Sequence, residues 1–429
     1  MKIFGIGKGA REHATALKLS QDGPGIQQIW LPGNPGIAAV PGCSCITLPV
    51  ANIHAMADLA RQLKPDLSVV WNEDLLAAGI CDRFREHGLK IFGPSQAAAF
   101  IEADKKKALD FMVRHHIPTG WHRTFPDFDS LMHFLATQRF PAVLKNPYLA
   151  KGKGAFICKS LTGAIEPALA IAKQQAAAKI DPSYLVMEYL WGKEVTLTLA
   201  VNGTDWVYLP EAQDHKTISE DKQSPMTGGM GAYAPVPFMI PAIKQAAHEA
   251  IVLPTIKGLA EEGNEYNGML YVGLMLTEQG PKVVEFNERL GDPEAQVQLP
   301  IMGGNFLELL LAGCEGRLSG MELSPPRQHA VCVVLASGGY GYREDFPVDK
   351  LITGTDLPGF NHKENILVFH AGTRLADGEL FSTSGRVITP TGLGSTLCAA
   401  RNFAYAGAEL IDFEDKVYRP DIARQALHF

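Results

Sequence analysis

The sequence lacks the features that direct a chain into a membrane or onto nucleic acid. No run of about 18 apolar residues occurs anywhere, and the N-terminus has no basic stretch followed by an apolar core. Lys and Arg number 39 against 46 Asp and Glu, so the net charge is −7. A chain of this charge has no concentrated positive field for a phosphate backbone. We therefore expect a cytoplasmic protein that binds neither membranes nor nucleic acids.

Cysteine is also sparse. Seven cysteines, an odd number, are scattered over the whole length and do not make a disulfide framework. Cys43 and Cys45 form a C-x-C pair, but no second group of Cys or His stands at metal-ligand spacing. The sequence therefore favours buried or turn thiols over a zinc site.

Glycine, by contrast, is abundant. The chain has 42 glycines among 429 residues, above the usual fraction of about 7%, which indicates many turns or many backbone loops that face a ligand. The length suits roughly two to four domains. Apolar residues at 46% and charged residues at 20% are in the ordinary globular range.

The chain is predicted to be a multidomain protein of mixed α/β and α+β class. Short apolar runs alternate with helical patterns over residues 1–103, which is typical of a parallel α/β domain. Residues 104–324 have an α+β pattern with a subdomain at about 117–190, and residues 325–429 predict a small β-rich C-terminal domain. A long loop is expected from Asp214 to Pro237, and loops above about 15 residues are usually functional or mobile.

The first candidate motif is the glycine turn from Gly5 to His13. Backbone amides at a turn that opens a helix, together with the helix dipole, can bind an anion. Ala10 stands where a dinucleotide-binding fingerprint has its third glycine. By itself the motif therefore leaves a plain α/β turn equally open.

The second motif, L-A-K-G-K-G-A from Leu149 to Ala155, follows a predicted strand that ends at Lys145. A glycine-rich hairpin with lysines can fold amides and ammonium groups over a polyphosphate. It is not a Walker loop, because no G-K-[ST] opens a helix. A solvent-exposed basic turn remains the alternative.

The third motif runs from Val283 to Glu294. Side chains alternate along a strand, so Glu285, Asn287 and Arg289 are predicted to share one face. Two oxygen ligands beside a guanidinium suit a Mg²⁺ ion bridged to phosphates, with the arginine stabilising transferred charge. A half-buried strand with a salt bridge is the alternative.

The fourth motif lies between Tyr184 and Glu194. An apolar strand is followed by a predicted hinge, Glu188 to Leu190, whose backbone can pair with a nucleobase edge. Glu194 could accept hydrogen bonds from ribose hydroxyls. An ordinary strand connection is equally open from these residues alone.

Taken together and in this order, the motifs resemble those of the ATP-grasp ligases, and the resemblance to the ligases of purine synthesis covers nearly the whole chain. The order and spacing of the shared motifs are specific. They are G-A-R-E-H-A (Gly9 to Ala14), P-G-N (Pro32 to Asn34), Q-D-H-K (Gln213 to Lys216), T-G-G-M-G-A-Y (Thr227 to Tyr233), E-F-N-x-R-x-G-D-P-E (Glu285 to Glu294), F-H-A-G-T (Phe369 to Thr373) and Y-R-x-D-I (Tyr418 to Ile422).

The resemblance implies an activity and its cofactors. The expected reaction is ATP-dependent ligation of glycine to 5-phosphoribosylamine through a glycyl phosphate, giving glycinamide ribonucleotide, ADP and phosphate in purine biosynthesis. ATP and Mg²⁺ (or Mn²⁺) are the expected cofactors. The partners are expected to be small molecules only, and the protein is expected to be a monomer.

The resemblance also implies roles for particular residues. Arg289 and Lys145 are expected to be catalytic, and Glu285 and Asn287 to be metal ligands. The expected ATP-binding residues are Lys105, Lys145, Gly152, Lys153, Gly154, Glu188, Leu190 and Glu194. The expected substrate-binding residues are Gly9, Arg11, Asn34, Glu73, Asp214, Lys216, Thr227, Gly228, Gly229 and Asp292.

The chain departs from the family pattern in several places. The changed positions are Trp71, Asn72, Asp74, Asn146, Pro147, Tyr148, Lys151, Met187 and Met226. Trp71 is expected to place bulk beside the phosphoribosyl site, and Met226 to remove an amide from the substrate site. Two alternatives therefore stay open: an ATP-grasp carboxylate-amine ligase with a different substrate pair, and a nucleotide-binding homologue without turnover.

Overall fold

A five-stranded parallel sheet begins the fold. The structure, a computed structural model, describes residues 1–48, 52–148, 154–221, 224–343, 345–355 and 365–429. The strand order is β3-β2-β1-β4-β5, and every pairing is parallel. The elements are β1 Lys2–Gly7, α1 Ala10–Asp22, β2 Gln27–Pro32, α2 Pro35–Ala39, β3 Cys43–Cys45, α3 Ile53–Leu63, β4 Leu67–Val70, α4 Glu73–Ala77, α5 Ile80–Glu86 and β5 Ile91–Phe92. All four β4 residues are buried, as expected for a parallel strand covered on both faces. The predicted N-terminal α/β domain is confirmed.

Two four-stranded antiparallel sheets form the middle of the fold, with orders β6-β9-β7-β8 and β11-β10-β14-β15. The elements of this part of the chain are α6 Phe100–Ala103, α7 Lys105–Arg114, β6 His122–Phe125, α8 Phe128–Leu135, β7 Ala142–Lys145, β8 Ala155–Cys158, α9 Ile165–Ala177, β9 Tyr184–Glu188, β10 Lys193–Asn202, β11 Asp205–Tyr208, β12 Gln213–Asp214, β13 Gly231–Ala234, α10 Pro241–Ala247, α11 Leu253–Glu261, β14 Asn267–Thr277, β15 Gly280–Asn287, α12 Ala295–Ile301 and α13 Phe306–Cys314. A π-helical turn, His248–Val252, joins α10 to α11. Metal and phosphate candidates lie on β15 and at the end of β7, so the two sheets place them opposite each other.

The C-terminal part is rich in strands, as predicted. Its elements are β16 His329–Val333, β17 Leu335–Ala336, β18 Leu351–Ile352, β19 Ile366–His370, β20 Thr373–Ala376, β21 Glu379–Ser382, β22 Arg386–Gly394 and α14 Leu397–Leu410. One sheet has the order β12-β13-β16-β22-β17, with β19 also on β22, and a smaller sheet has the order β18-β21-β20.

The segment from Asp214 to Pro237 is more ordered than the predicted long loop. Its described residues include part of β12, all of β13 and an isolated bridge between Thr217 and Met226. Strand β13 pairs with β16, which lies about a hundred residues further along the chain. That distant pairing stabilises a strand of only four residues with little local signal, so the prediction of a plain loop was wrong here.

Helices α12 and α13 lie in the interior. Leu299, Phe306, Leu309 and Leu310 are fully buried in the same cluster as Ala14 of α1. Among the described residues, no single helix is both long and apolar enough to cross a bilayer. Helices α12 and α13 pass that test only as a pair, which is bent by 105°.

A polar junction joins α1 to the C-terminal part. The backbone N–H of His370 donates to Nδ1 of His13 at 3.0 Å, and Nδ2 of Asn34 donates to the His370 carbonyl at 2.8 Å. Burial lowers the pKa of both imidazoles, to about 4 for His370. His13 is therefore neutral near pH 7, as an acceptor at Nδ1 requires. The G-A-R-E-H-A and F-H-A-G-T motifs thus meet in this junction.

Candidate active site

One cavity of about 990 Å³ brings most of the predicted site residues together. Its volume is at the upper end of the usual range for ligand pockets. All three parts of the chain contribute walls to it. The predicted residues that line it are Arg11, Glu73, Lys105, Lys145, Gly154, Glu188, Leu190, Glu194, Asp214, Lys216, Thr227, Gly228, Glu285, Asn287, Arg289 and Asp292.

Three predicted substrate residues, Gly9, Asn34 and Gly229, are not among the lining residues. Gly9 precedes α1, and its N–H donates to Oε2 of Glu12 at 2.7 Å. A carboxylate of the chain itself therefore caps the glycine turn where an anion was expected. The side chain of Asn34 caps α2 by accepting from the Ile37 N–H, and it also donates to the His370 carbonyl. Gly152 and Lys153 lie outside the described residues.

Two buried lysines make one wall cationic. Nζ of Lys145, the last residue of β7, donates to the Val284 carbonyl at 3.3 Å, and Nζ of Lys105 donates to the Tyr148 carbonyl at 3.1 Å. Burial lowers the pKa of Lys105, and burial together with neighbouring ammonium groups lowers that of Lys145 to about 8. A polyanion at this wall would stabilise both positive charges.

The nucleoside end of the cavity is the connection between β9 and β10. The N–H of Glu188 donates to the Trp121 carbonyl at 2.8 Å, while Oε2 of Glu188 accepts from the Trp121 N–H at 3.1 Å. Both bonds fix the start of the hinge on the chain that leads into β6. Leu190 and Glu194 follow along the cavity wall.

Glu285 and Asn287 face the cavity from β15, as the alternation predicts. Nζ of Lys216 lies 3.0 Å from Oε1 of Glu285 and 2.6 Å from Oε1 of Glu194. Burial alone would raise the pKa of Glu285, but Lys216 and Lys145 lower it to about 2, so this carboxylate is ionised. Nη2 of Arg289 is 3.5 Å from Oδ1 of Asn287.

This donor set fits a phosphate-bound Mg²⁺ ion. The described residues contain no group of three or more His, Cys, Asp or Glu side chains arranged to hold a metal. One ionised carboxylate and one amide oxygen are what Mg²⁺ uses when phosphates and waters supply its other ligands. The described side chains at this site could therefore not complete a metal's coordination without phosphates and waters.

Arg289 is held by two carboxylates. Its Nη2 donates to Oε1 of Glu102 at 3.1 Å, its Nε lies 3.7 Å from Oε2 of Glu73, and its Nη1 donates to the Leu290 carbonyl at 3.2 Å. Burial alone would lower the pKa of Arg289, but Glu102 and Glu73 raise it, so the guanidinium stays charged. Sequence reasoning missed Glu102, whose position on α6 carried no motif of its own.

The C-terminal part adds two arginines that were also missed. Nη1 of Arg386 donates to the carbonyls of Gly228 and Asp292, both at 2.7 Å. Nη1 of Arg419 donates to Oγ1 of Thr217 at 2.6 Å. These bonds hold the segments on either side of Met226 against the cavity. Arg419 lies within the Y-R-x-D-I motif, which could have identified it as a site residue. Arg386 lies in none of the shared motifs.

Trp71 does not stand beside the cavity, so that expectation was wrong. Its side chain is 1% exposed in the core around the parallel sheet, and its Nε1–H donates to Oγ1 of Thr15 at 3.1 Å. A large apolar ring packs in the core in preference to a polar cavity. Met226 and Met187, by contrast, do line the cavity.

Known protein families match the N-terminal, middle and C-terminal parts of this chain separately. Family models of phosphoribosylglycinamide synthetase match the chain as N domain over residues 1–102, ATP-grasp (A) domain over 103–295 and C domain over 330–425. Phosphoribosylamine–glycine ligase of Caldanaerobacter subterraneus subsp. tengcongensis is 38% identical over 426 residues, covering 99% of each chain.

Solved structures agree. The crystal structure of phosphoribosylamine–glycine ligase from Thermotoga maritima matches with a TM-score of 0.82 and 30% identity, over 98% of this chain and 100% of that one. The biotin carboxylase domain of 2-oxoglutarate carboxylase from Hydrogenobacter thermophilus, solved with MgADP and bicarbonate, matches with a TM-score of 0.73 and 15% identity, over 97% and 91%. The second likeness concerns the fold alone.

The two antiparallel sheets face a nucleotide-sized cavity, which has lysines on one side and Glu285 and Asn287 on the other. This arrangement defines an ATP-grasp ligase. More narrowly, the chain belongs to the phosphoribosylglycinamide synthetase family of purine biosynthesis. The ligase activity and the multidomain fold expected from the sequence are confirmed. The expected domain boundaries and residue roles stay predictions.

Proposed function

We propose that this chain joins glycine to 5-phosphoribosylamine at the expense of ATP, forming glycinamide ribonucleotide, ADP and phosphate. One observation carries the proposal: a single cavity combines a cationic wall, an ionised carboxylate beside an amide, and an arginine held by two carboxylates. Full-length likeness to phosphoribosylamine–glycine ligases supports this substrate pair.

ATP is proposed to lie along the cavity from the hinge to the lysines. Leu190 and the Glu188 backbone would meet the base, Glu194 the ribose, and Lys105, Lys145 and Gly154 the phosphates. Gly152 and Lys153 are expected to join them. Glu285 and Asn287 would hold Mg²⁺ (or Mn²⁺), which when bound neutralises phosphate charge.

The chemistry proceeds in two steps. A glycine carboxylate oxygen attacks the γ-phosphorus, the bond from that phosphorus to the bridging oxygen breaks, and ADP leaves. The amine nitrogen of phosphoribosylamine then attacks the carbonyl carbon of glycyl phosphate, phosphate leaves, and the amine loses its proton. Arg289 and Lys145 stabilise the charge on the transferred phosphoryl group. Domain closure around the cavity keeps water from the acyl phosphate.

The acceptor end is proposed to lie between the first motif and the C-terminal part. Arg11 would give the ribose phosphate a charge-assisted contact, with Glu73, Thr227, Gly228 and Asp292 around the substrates. Gly9, Asn34 and Gly229 do not line the cavity, and they would support the residues that do. The cytoplasmic location and the monomeric state expected from the sequence stay predictions.

A substrate-omission assay tests this function. ADP release by the wild-type protein should reach its full rate only when ATP, Mg²⁺, glycine and freshly prepared phosphoribosylamine are all present. Full turnover with another carboxylate and amine, but not with this pair, would favour a ligase of different specificity. Tight ATP binding without turnover on any pair would favour a homologue that has lost catalysis.

A further inference from the structure

The segment of residues 418–429, in the C-terminal part of the chain, lies along one wall of the cavity. Two contacts anchor it to the segment that follows β12. Nη1 of Arg419 donates to Oγ1 of Thr217 at 2.6 Å, and Nη1 of Arg424 donates to Oε2 of Glu220 at 3.0 Å. The segment is therefore fixed beside the cavity by the chain's own contacts. Its members that line the cavity are Arg419, Asp421, Gln425 and Phe429.

Gln425 makes the contact that leads from this segment toward the nucleoside end. Its Nε2 donates to Oε1 of Gln213 at 2.9 Å, and the hydroxyl of Tyr233 donates to the same oxygen at 2.5 Å. Because two donors occupy that oxygen, the NH₂ group of Gln213 faces the other way, and Nε2 donates to the backbone carbonyl of Glu194 at 2.5 Å. Gln213 is 8% exposed and Tyr233 is fully buried, so the amide has little room to turn.

The first two residues of β10 are both held by way of this segment. The main chain of Glu194 is bound by Gln213, while its Oε1 accepts from Nζ of Lys216 at 2.6 Å. Nζ of Lys193 lies 4.0 Å from the centroid of the Phe429 ring, a cation–π contact. Phe429 therefore contacts the start of β10 directly, and Gln425 contacts it through one intervening side chain.

We infer that Gln425 is a positioning residue for ATP, because through Gln213 it places Glu194 to accept hydrogen bonds from the ribose hydroxyls. This inference rests on the proposed function, in which Glu194 meets the ribose. Hydrogen bonds weaken steeply when their distance or angle departs from the optimum, so a small shift of the Glu194 main chain weakens the bonds of its carboxylate. The C-terminal part of the chain thus contributes to nucleotide affinity through a residue of β10.

Two nucleotides that differ only in the ribose test the inference. Equilibrium titration with Mg²⁺ measures the Kd for ATP and for 2′,3′-dideoxy-ATP, which lacks both hydroxyls, and the wild-type protein should bind ATP more tightly. Gln425→Ala should raise the Kd for ATP by about 3- to 10-fold, the usual worth of one hydrogen bond. The Kd for dideoxy-ATP, and kcat at saturating ATP, should match those of the wild type. Gln245→Ala is the matched control, because Gln245 bonds only to Glu249 on an exposed surface.

A double variant tests the route through Gln213. Gln213→Leu removes the bond to the Glu194 carbonyl, so it should also reduce the preference for ATP over dideoxy-ATP. When Gln425→Ala is added to Gln213→Leu, the Kd for ATP should rise no further, because the two residues act in series. Independent, additive losses would show that Gln425 does not act through Gln213.

Other results would also overturn the inference. Equal weakening of ATP and dideoxy-ATP by Gln425→Ala would mean that the residue supports the cavity wall without placing Glu194, and an unchanged Kd for ATP would exclude any contribution. If Gln425→Ala does not fold, as judged by thermal melting, Gln425→Met, which keeps the length of the side chain without its amide, is compared by the same ratio. Equal binding of the two nucleotides by the wild-type protein would instead contradict the placement of the ribose at Glu194 in the proposed function, and the inference with it.

Discussion

Arg289→Lys should lower kcat by about 10²- to 10³-fold, the usual effect of removing one preorganised donor from a transition state. The guanidinium of Arg289 contacts Glu102, Glu73 and the Leu290 carbonyl, and the residue also lines the cavity. An ammonium group keeps the charge but cannot make these contacts and also reach a phosphoryl oxygen. The KM for ATP should change little, because the lost interaction is made chiefly in the transition state.

Steady-state kinetics with saturating glycine and phosphoribosylamine measure this effect. Arg317→Lys, an exposed arginine paired with Glu308 and Glu315, is the matched control and should retain wild-type rates. Thermal melting of both variants separates a catalytic loss from a folding defect. A kcat for Arg289→Lys within a few-fold of wild type would show that the arginine acts only in the structure.

Removing the metal candidates should have an effect of similar size. Glu285→Ala and Asn287→Ala each delete one oxygen ligand, and each should lower kcat by about 10³-fold, since a metal supplies several kcal/mol of charge stabilisation. Residual activity should need more Mg²⁺, because the phosphates alone would then hold the ion. Lys216 keeps its bond to Glu194 in the Glu285 variant, so the fold should persist.

A magnesium titration of activity, read beside thermal melting, checks this prediction. Glu278→Gln is the control, because Glu278 lies in the exposed turn between β14 and β15 and away from the cavity. Wild-type turnover and an unchanged magnesium requirement in either alanine variant would make Glu285 and Asn287 ordinary strand residues.

Local sequence patterns predicted those parts of the site that depend on local geometry. Alternation along β15 placed Glu285 and Asn287 on one face, and the strand ending at Lys145 put that lysine in the cavity wall. Helices α6 and α7 are separated at Asp104, whose side chain accepts from the Lys107 N–H at 3.0 Å and caps α7. An aspartate just before a helical run is a local helix-start signal, so this boundary can be read from the sequence.

Residues that depend on distant contacts escaped prediction. Glu102 and Arg386 are single charged residues without a surrounding motif, and only the assembled fold brings them to Arg289 and Gly228. Trp71 was misplaced for a related reason, because proximity to a motif in the chain does not decide which face of a sheet a side chain covers. Strand β13 was not predicted because the contact that stabilises it is its pairing with β16, a strand distant in the chain.

The proposed reaction activates the glycine carboxylate as an acyl phosphate in this cavity. The most direct measurement uses glycine labelled with oxygen-18 in its carboxyl group and mass analysis of the released phosphate. The mechanism predicts one labelled oxygen in each phosphate, since the attacking carboxylate oxygen leaves with phosphorus when the amine displaces it. Unlabelled phosphate released during full synthesis of glycinamide ribonucleotide would contradict the account.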